Sequence, residues 1–532
     1  MSVSTAAKSG QGDVYKELDG FGRFQLYQYL LICLALVMVS MSNVNYIFVA
    51  EDINHRCHVP TCESKNSSVD IPAWWPDNVD TRCLKPVLKY EESELVNGEC
   101  TNTSFHETLE ECTEWIYENN NSIVSHLDLG CKSWKATIVG SVHNAGMIVS
   151  MMVTGWIADK IGRKPTIIIC AVGGVVGVFK VFLNNYYAYL GVEFLESVFA
   201  SGLYTVAVVL LIEVGGESKR VAAGVIFSYA VYIGEVLFAF VAMGLKFWKW
   251  IIIAVYTPMI LFVCYAFVLR ESTRWQMLRG KMNEARDTFK TVINTNKLNV
   301  TVNEIADMDD AELRSKFNVQ IQKEKENMGD IFRSKEIMIR LTVSSFCFFT
   351  SSFVYYGLVV HSILLPGNKY TNFVLASITA FPGDMIAYYT FEKFGRRISL
   401  QCGYIFSAVF LMAQTYSPDS VGWLKVLLFM CGKLGVVVCF TGIYTYSLEL
   451  FPTSVRGSLV GTCNTAARVG SMLAPLTPLL TSEFSSLPSI LFASTTVIAA
   501  LLLTFTPETK TLPMFDTISQ VDAYRQKLTT HL

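Results

Sequence analysis

The sequence predicts an all-α membrane protein of twelve transmembrane helices in two six-helix bundles, with one large extracellular loop. Three observations carry this expectation. The composition is too apolar for a water-soluble chain, about twelve segments have the length a bilayer requires, and charged loop motifs recur between the two halves.

The composition bounds the class first. Of 532 residues, 52% are hydrophobic and 17% are charged, against about 25% charged in soluble proteins. Mean hydropathy is +0.37, so much of the surface faces something other than water. The net charge of -2 offers no general attraction to nucleic acid. The first 23 residues are polar and charged, from Lys8 to Arg23, and no secretory signal is visible. The first apolar run starts at Phe24 without a clear cleavage site, which predicts a retained helix.

Spans of roughly 17–25 apolar residues cross a bilayer as helices, because lipid cannot satisfy backbone polar groups. They are expected at 24–48, 135–157, 164–184, 188–212, 220–243, 249–269, 338–360, 370–391, 398–416, 421–447, 456–480 and 487–506. This divides the chain into a cytosolic N-terminus (1–23), a first bundle (24–269), a cytosolic loop with short helices (270–337), a second bundle (338–506) and a cytosolic tail (507–532).

Two hydrophilic insertions interrupt the series. Residues 51–134 hold Cys57, Cys62, Cys83, Cys100, Cys112 and Cys131, with N-x-Ser/Thr sequons at Asn66, Asn102 and Asn120. Clustered cysteines with sequons indicate an oxidising, extracellular, glycosylated loop. Six cysteines allow fifteen pairings, and the sequence does not choose among them. His55, His58 and His126 lie in the same loop without any C-x-x-C pair, so no metal site is expected. The second insertion is rich in both charge signs, and 282–292 reads as an amphipathic helix; its sequon at Asn299 is expected on the unmodified side. Lys160, Arg163, Lys164, Lys219, Arg220, Lys393, Arg396, Arg397 and Arg456 fall on one side, and the short loops near 185, 419 and 484 hold no Lys or Arg. The positive-inside rule then places both termini in the cytosol.

The repeat is specific. Asp159-Lys160-Ile161-Gly162-Arg163-Lys164 follows the second span, and Glu392-Lys393-Phe394-Gly395-Arg396-Arg397 follows the eighth. Glu213 and Arg220 follow the fourth span at the spacing that Glu449 and Arg456 show after the tenth. Both offsets are about 235 residues, as a six-plus-six duplication requires. The glycines allow tight turns. The acids and bases form a candidate latch across the cytosolic face.

The loop Gly155-Trp156-Ile157-Ala158-Asp159-Lys160-Ile161-Gly162-Arg163-Lys164 resembles the signature of the major facilitator superfamily. Phe21-Gly22-Arg23-Phe24-Gln25, the cysteine-rich loop, Glu271-Ser272-Thr273-Arg274-Trp275, Glu449-Leu450-Phe451-Pro452-Thr453 with Arg456-Gly457, and Pro507-Glu508-Thr509 are similar to the organic cation/anion/zwitterion (carnitine) transporter family. The match covers nearly the whole chain. Thr273 departs from that pattern, where the family usually has Pro. The resemblance implies a plasma-membrane secondary transporter that rocks two bundles about a midplane site and moves small organic ions without ATP hydrolysis. No cofactor is implied, and no Walker loop is present. The other partners are the lipid bilayer and a coupling ion or counter-substrate; uniport, exchange and proton or sodium symport all remain open.

Ionisable residues inside spans are candidate substrate contacts, because burying charge in a membrane is costly. These are Glu235, Asp384, Lys433 and Arg468, three of them in the second half. A guanidinium at Arg468 can hold a carboxylate or sulfonate bidentately. By resemblance, cation carriers tend to have Asp there and Glu at the position of Ala380, so both cation markers are missing. Tyr355-Tyr356-Gly357 also resembles the anion branch. Asp384 is opposite in charge to the Lys that anion carriers can place there. Arg468 and Asp384 either hold the two ends of a zwitterion or pair with each other. Tyr355, Tyr356, Phe440 and Tyr444 are candidate aromatic walls, and Asn43 is a polar contact by resemblance. Organic anions or zwitterions are therefore the expected substrates, with organic cations as the alternative. A receptor fits a repeated twelve-span chain poorly. An enzyme fits poorly too, since His55, His58, His106, His126, His143, His361 and His531 form no catalytic constellation within a span.

Overall fold

The computed structural model describes residues 20–530, apart from 65–66, 77–78, 90–99, 102–103, 217–219, 299–307, 312, 314–327, 419, 483, 485, 511, 513–514 and 516. Among the described residues, ten helices are long and apolar enough to cross a membrane, from Arg23–Val49 to Leu487–Phe505. They coincide with ten of the twelve expected segments. The other two are also helical. Residues 370–391 form Lys369–Ile378 and Ala380–Phe394, and 456–480 form Arg456–Leu473 followed by Ala474–Ser482. Polar residues lower the apolarity of both. The first carries Asp384; the second carries Arg456, Asn464 and Arg468.

Several helices tighten into 3-10 geometry over part of their length, at Gly174–Phe182, Thr257–Cys264 and Ala474–Ser482. Pro258 and Pro478 explain two of these, since a proline removes a donor and crowds the preceding turn. The turns that follow helices Ser133–Ile161 and Ala380–Phe394 are built on Gly162 and Gly395, with φ of 111° and 102°. An L side chain is strained there.

Two main buried cores result, with two small ones beside them. The larger runs through the first half and takes in Phe353, Tyr355, Phe373 and Phe492. The smaller lies within the second half, from Ile331 to Val521. Large apolar side chains such as Phe182, Leu261, Phe267 and Leu501 remain exposed, which suits contact with lipid chains.

The cysteine-rich segment forms two small antiparallel ribbons. β1 (His55–Cys57) pairs with β4 (Trp115–Tyr117), and β2 (Leu84–Leu88) with β3 (Phe105–Glu111). Three disulfides tie them: Cys57–Cys112, Cys62–Cys100 and Cys83–Cys131. One of the fifteen open pairings is thereby selected. Cys57 and Cys112 pack with Val59 and Trp75, and Arg56 makes a buried two-point bond to Glu63 at 2.6 and 2.5 Å. The other eight cysteines are free. Asn120 is exposed; Asn66, Asn102 and Asn299 lie outside the described residues.

In the central insertion, Met282–Asn296 is helical, and its apolar face packs against Phe24 and Met277. The amphipathic pattern of that stretch thus finds a partner. Ile518–Thr530 forms a further helix, and Ile518 and Val521 enter the smaller core.

Candidate functional site

At the end of the bundle away from the cysteine-rich segment, the repeated motifs form matched structures. Arg163 bonds Glu213 at 3.2 Å and Asp159 at 3.2 Å. Arg396 bonds Glu449 at 3.0 Å, and Thr509 donates to the same carboxylate at 2.7 Å. The expected pairings need correction. No Glu449–Arg456 or Glu392–Arg396 ion pair forms among the described residues. Arg456 instead donates to the Phe451 carbonyl at 3.2 Å, and Glu392 is exposed. Arg220 opens the Arg220–Leu245 helix, and its side chain is outside the described set. Each ion pair also lies within one half, so it ties that half's loops together and does not bridge the halves.

A second carboxylate completes each motif. Glu271 accepts from the backbone N–H of Arg163 and of Lys164, both at 3.0 Å. Glu508 accepts from the same groups of Arg396 and Arg397, at 2.8 and 3.0 Å. An anion at a helix start satisfies orphan donors and opposes the helix dipole. Burial pushes the Glu271 carboxyl upward, and the backbone donors pull it back. In the sequence Glu271 and Glu508 stand out only as family markers.

Near the middle of the bundle, Asp384 accepts from Thr441 at 2.5 Å and from Tyr232 at 3.2 Å. Arg468 does not pair with it. Tyr232 belongs to the first half and Asp384 to the second, so this bond crosses the interface. Glu235 and Lys433 are buried electrostatic neighbours. The Lys433 ammonium has no hydrogen-bond partner among the described residues and lies 5.2 Å from the centre of the Tyr355 ring. Tyr355 stacks on Phe440 at 5.0 Å and meets Tyr356 edge-on at 5.3 Å; Phe440 in turn meets Tyr444 at 5.8 Å. These four aromatics therefore form one continuous wall. Arg468 is half-buried and makes no side-chain ion pair or hydrogen bond among the described residues. Its charge acts on Tyr204 of the first half and Tyr444 of the second.

The halves also meet at the end that carries the cysteine-rich segment. Lys369 bonds Glu51 at 2.8 and 2.6 Å. Phe48 stacks on Tyr370 at 5.2 Å and packs against Phe373 and Phe238. These contacts close that end.

Asn43 lies elsewhere, in a charged cluster of the first half. Its Oδ1 is 2.9 Å from His143 Nε2, and His143 Nδ1 is 2.8 Å from Glu193. Lys180 and Glu196 complete the cluster. Glu235 is the one candidate substrate charge expected inside the spans of the first half; Lys180, Glu193 and Glu196 are further buried charges there. Lys180 and the i, i+3 pair Glu193 and Glu196 are visible in the third and fourth expected spans. The surrounding apolar residues obscure them.

The sequence matches the family model of the Major Facilitator Superfamily over residues 29–475 and 370–517. It is 30% identical over 530 residues to an organic cation transporter protein of Drosophila melanogaster, covering 97% of this chain and 95% of that one. Solute carrier family 22 member 3 of Mus musculus is 26% identical, with 94% of each chain covered. Solute carrier family 22 member 6 of Oryctolagus cuniculus is 26% identical, covering 97% of this chain and 94% of that one. The fold resembles a partially occluded inward-open structure of the xylose transporter XylE from E. coli, with a TM-score of 0.62, 13% identity, and coverage of 92% of this chain and 99% of that one. The chain is a secondary transporter of the Major Facilitator Superfamily, related along nearly its whole length to members of solute carrier family 22.

Proposed function

We propose that this transporter carries carboxylated organic ions, anions or zwitterions, across the plasma membrane through a twelve-helix bundle with both termini in the cytosol. The observation that carries the reading is Arg468. It is a half-buried guanidinium at the meeting of the halves, with no acidic partner among the described residues. An unpaired charge in that setting costs free energy that a bound carboxylate recovers. Asp384, held by Tyr232 and Thr441, receives the cationic end of a zwitterion, and the wall from Tyr355 to Tyr444 flanks the substrate body. On this topology the closed end faces outside, so the state is inward-facing. A coupling ion or counter-substrate completes the cycle.

One observation favours a second reading. Asp384 and Glu235 put two acids beside that aromatic wall, which suits an organic cation, as does the name of the Drosophila relative. Uptake into proteoliposomes separates the two. The probes are labelled L-carnitine, an amino acid, a dicarboxylate and tetraethylammonium, with wild type and Arg468→Ala. Loss of the carboxylated probes alone supports the proposal. Unchanged uptake of those probes by the variant rejects it.

A further inference from the structure

The charged cluster of the first half is not used by the substrate reading, yet its members are almost fully buried. His143 is 1% exposed; Lys180, Glu193 and Glu196 are 0% exposed. Lys180 Nζ is 2.8 Å from Glu193 and 3.7 Å from Glu196. His143 Nδ1 is 2.8 Å from Glu193 and 3.6 Å from Glu196. Among the described residues neither carboxylate oxygen of Glu196 has a partner at hydrogen-bond geometry, although Oε2 points between the imidazole and the ammonium and the Tyr256 hydroxyl faces the same carboxylate. The other polar groups facing the cluster come from every element around it. They include Asn43, Asn45 and Tyr46 at the end of the first helix, Asn144 beside Tyr46, Ser197, which donates to the His143 carbonyl at 2.6 Å, Tyr189 beside the glutamates, and Tyr256, which bonds Lys180 at 3.0 Å.

Charge counting decides what the cluster binds. One ammonium and two carboxylates leave one net negative charge if His143 is neutral. A buried net charge is strongly disfavoured even after relaxation, and two carboxylates around one cation do not both stay ionised readily. One proton removes the imbalance. A metal ion fits less well, because the Lys180 ammonium already sits against Glu193 inside the group that would ligate it.

We propose that His143, Glu193 and Glu196 form a proton-binding site holding one exchangeable proton, and that Asn43 transmits its occupancy to the transport pathway. With the proton on His143, both ring nitrogens donate, one to Glu193 and one to Asn43 Oδ1. When the proton leaves to water, Nε2 becomes an acceptor. The Asn43 amide must then turn to present its N–H group, because imidazole nitrogens exchange roles with protonation. No other bond forms or breaks. Asn43 lies shortly before Phe48 and Glu51, which make the contacts closing the bundle, so the turn acts on the helix end that must move. The consequence for flux rests on the transport reading; proton binding itself does not.

The test uses the full-length protein in lipid-detergent micelles. Thermal unfolding midpoints and pH-difference infrared spectra are recorded from about pH 5 to 9 for wild type and Glu196→Gln. A proton held more tightly by the folded than the unfolded chain adds stability at low pH that is lost as pH rises. The wild-type midpoint is expected to fall with rising pH, with a carboxyl or imidazolium signal disappearing in step. Glu196→Gln is neutral without the proton and should lose that slope. Equal slopes in the two proteins overturn the proposal. If the variant does not fold, the wild-type spectra decide, and the absence of any such signal overturns it. Uptake of the four labelled probes runs in parallel. Uptake with a flat wild-type pH profile rejects the proton site alone, and a normal profile without uptake rejects the transport reading alone.

Discussion

Gly162→Ala tests the construction of the basic end. The backbone there has φ 111° and ψ 166°, a region that costs a side-chain-bearing residue about 1–3 kcal/mol. The added methyl would also run into the Glu271 carboxylate. Moving that carboxylate breaks its two 3.0 Å bonds to Arg163 and Lys164, and bonds to a charged acceptor contribute about 1.5–3 kcal/mol each. Water replaces part of this loss at the bundle end, so the expected total is about 2–5 kcal/mol. The assay is the thermal midpoint of the full chain in micelles. Gly155→Ala is the control, because nothing lies within 4 Å of the methyl it would add and alanine favours a helix. The double variant Gly162→Ala with Glu271→Gln should destabilise by less than the sum of the singles, since both act on one carboxylate. If Gly162→Ala proves as stable as Gly155→Ala, the reasoning is wrong.

Three further outcomes can be checked. A double-mutant cycle on Arg163 and Glu213, whose side chains are 10% and 11% exposed, should return a coupling of about 1–2 kcal/mol; additive effects would contradict the pairing seen here. Lys369→Met should open the end held by Glu51, raising maleimide labelling of a cysteine placed at Phe440 by about 2–5-fold, as expected of about 0.5–1 kcal/mol from a partly exposed ion pair. The exchange Glu51→Lys with Lys369→Glu should restore the slow rate, and failure of that exchange would remove the charge argument. Peptide mapping without reduction should recover the Cys57–Cys112, Cys62–Cys100 and Cys83–Cys131 links. Loss of the last pair should cost about 2–4 kcal/mol, and any other connectivity refutes the loop structure.

Much of the frame was legible because its signals are local. Apolar runs, the cysteine cluster and the Gly162 and Gly395 motifs each depend on neighbouring residues. Partner choice is tertiary and was not legible. Arg396 has Glu392 four residues away and Glu449 far along the chain, yet the fold delivers Glu449. Arg163 keeps its local Asp159 and gains Glu213 as well. Glu271 and Glu508 became matched helix anchors only once the turns brought backbone donors to them. Of the substrate candidates, Tyr355, Tyr356, Phe440, Tyr444, Lys433 and Glu235 converge. Asn43 joins the first-half cluster, and nothing in its own neighbourhood of sequence points to His143. The i, i+3 spacing of Glu193 and Glu196 was readable, and Lys180 with it, but apolar averaging hides isolated charges.

The proposed function rests on Arg468 binding the carboxylate of the transported ion. Initial uptake rates into proteoliposomes of the four labelled probes, for wild type, Arg468→Lys and Arg468→Ala, test it most directly. Arg468→Ala is expected to lower carboxylated uptake at least about 10-fold, the effect of losing one charge-assisted contact of about 1.5–3 kcal/mol. Arg468→Lys should retain part of it, since a point charge replaces a planar fork. Wild-type accumulation of tetraethylammonium alone, or carboxylated uptake that Arg468→Ala leaves unchanged, would refute carboxylate binding at Arg468.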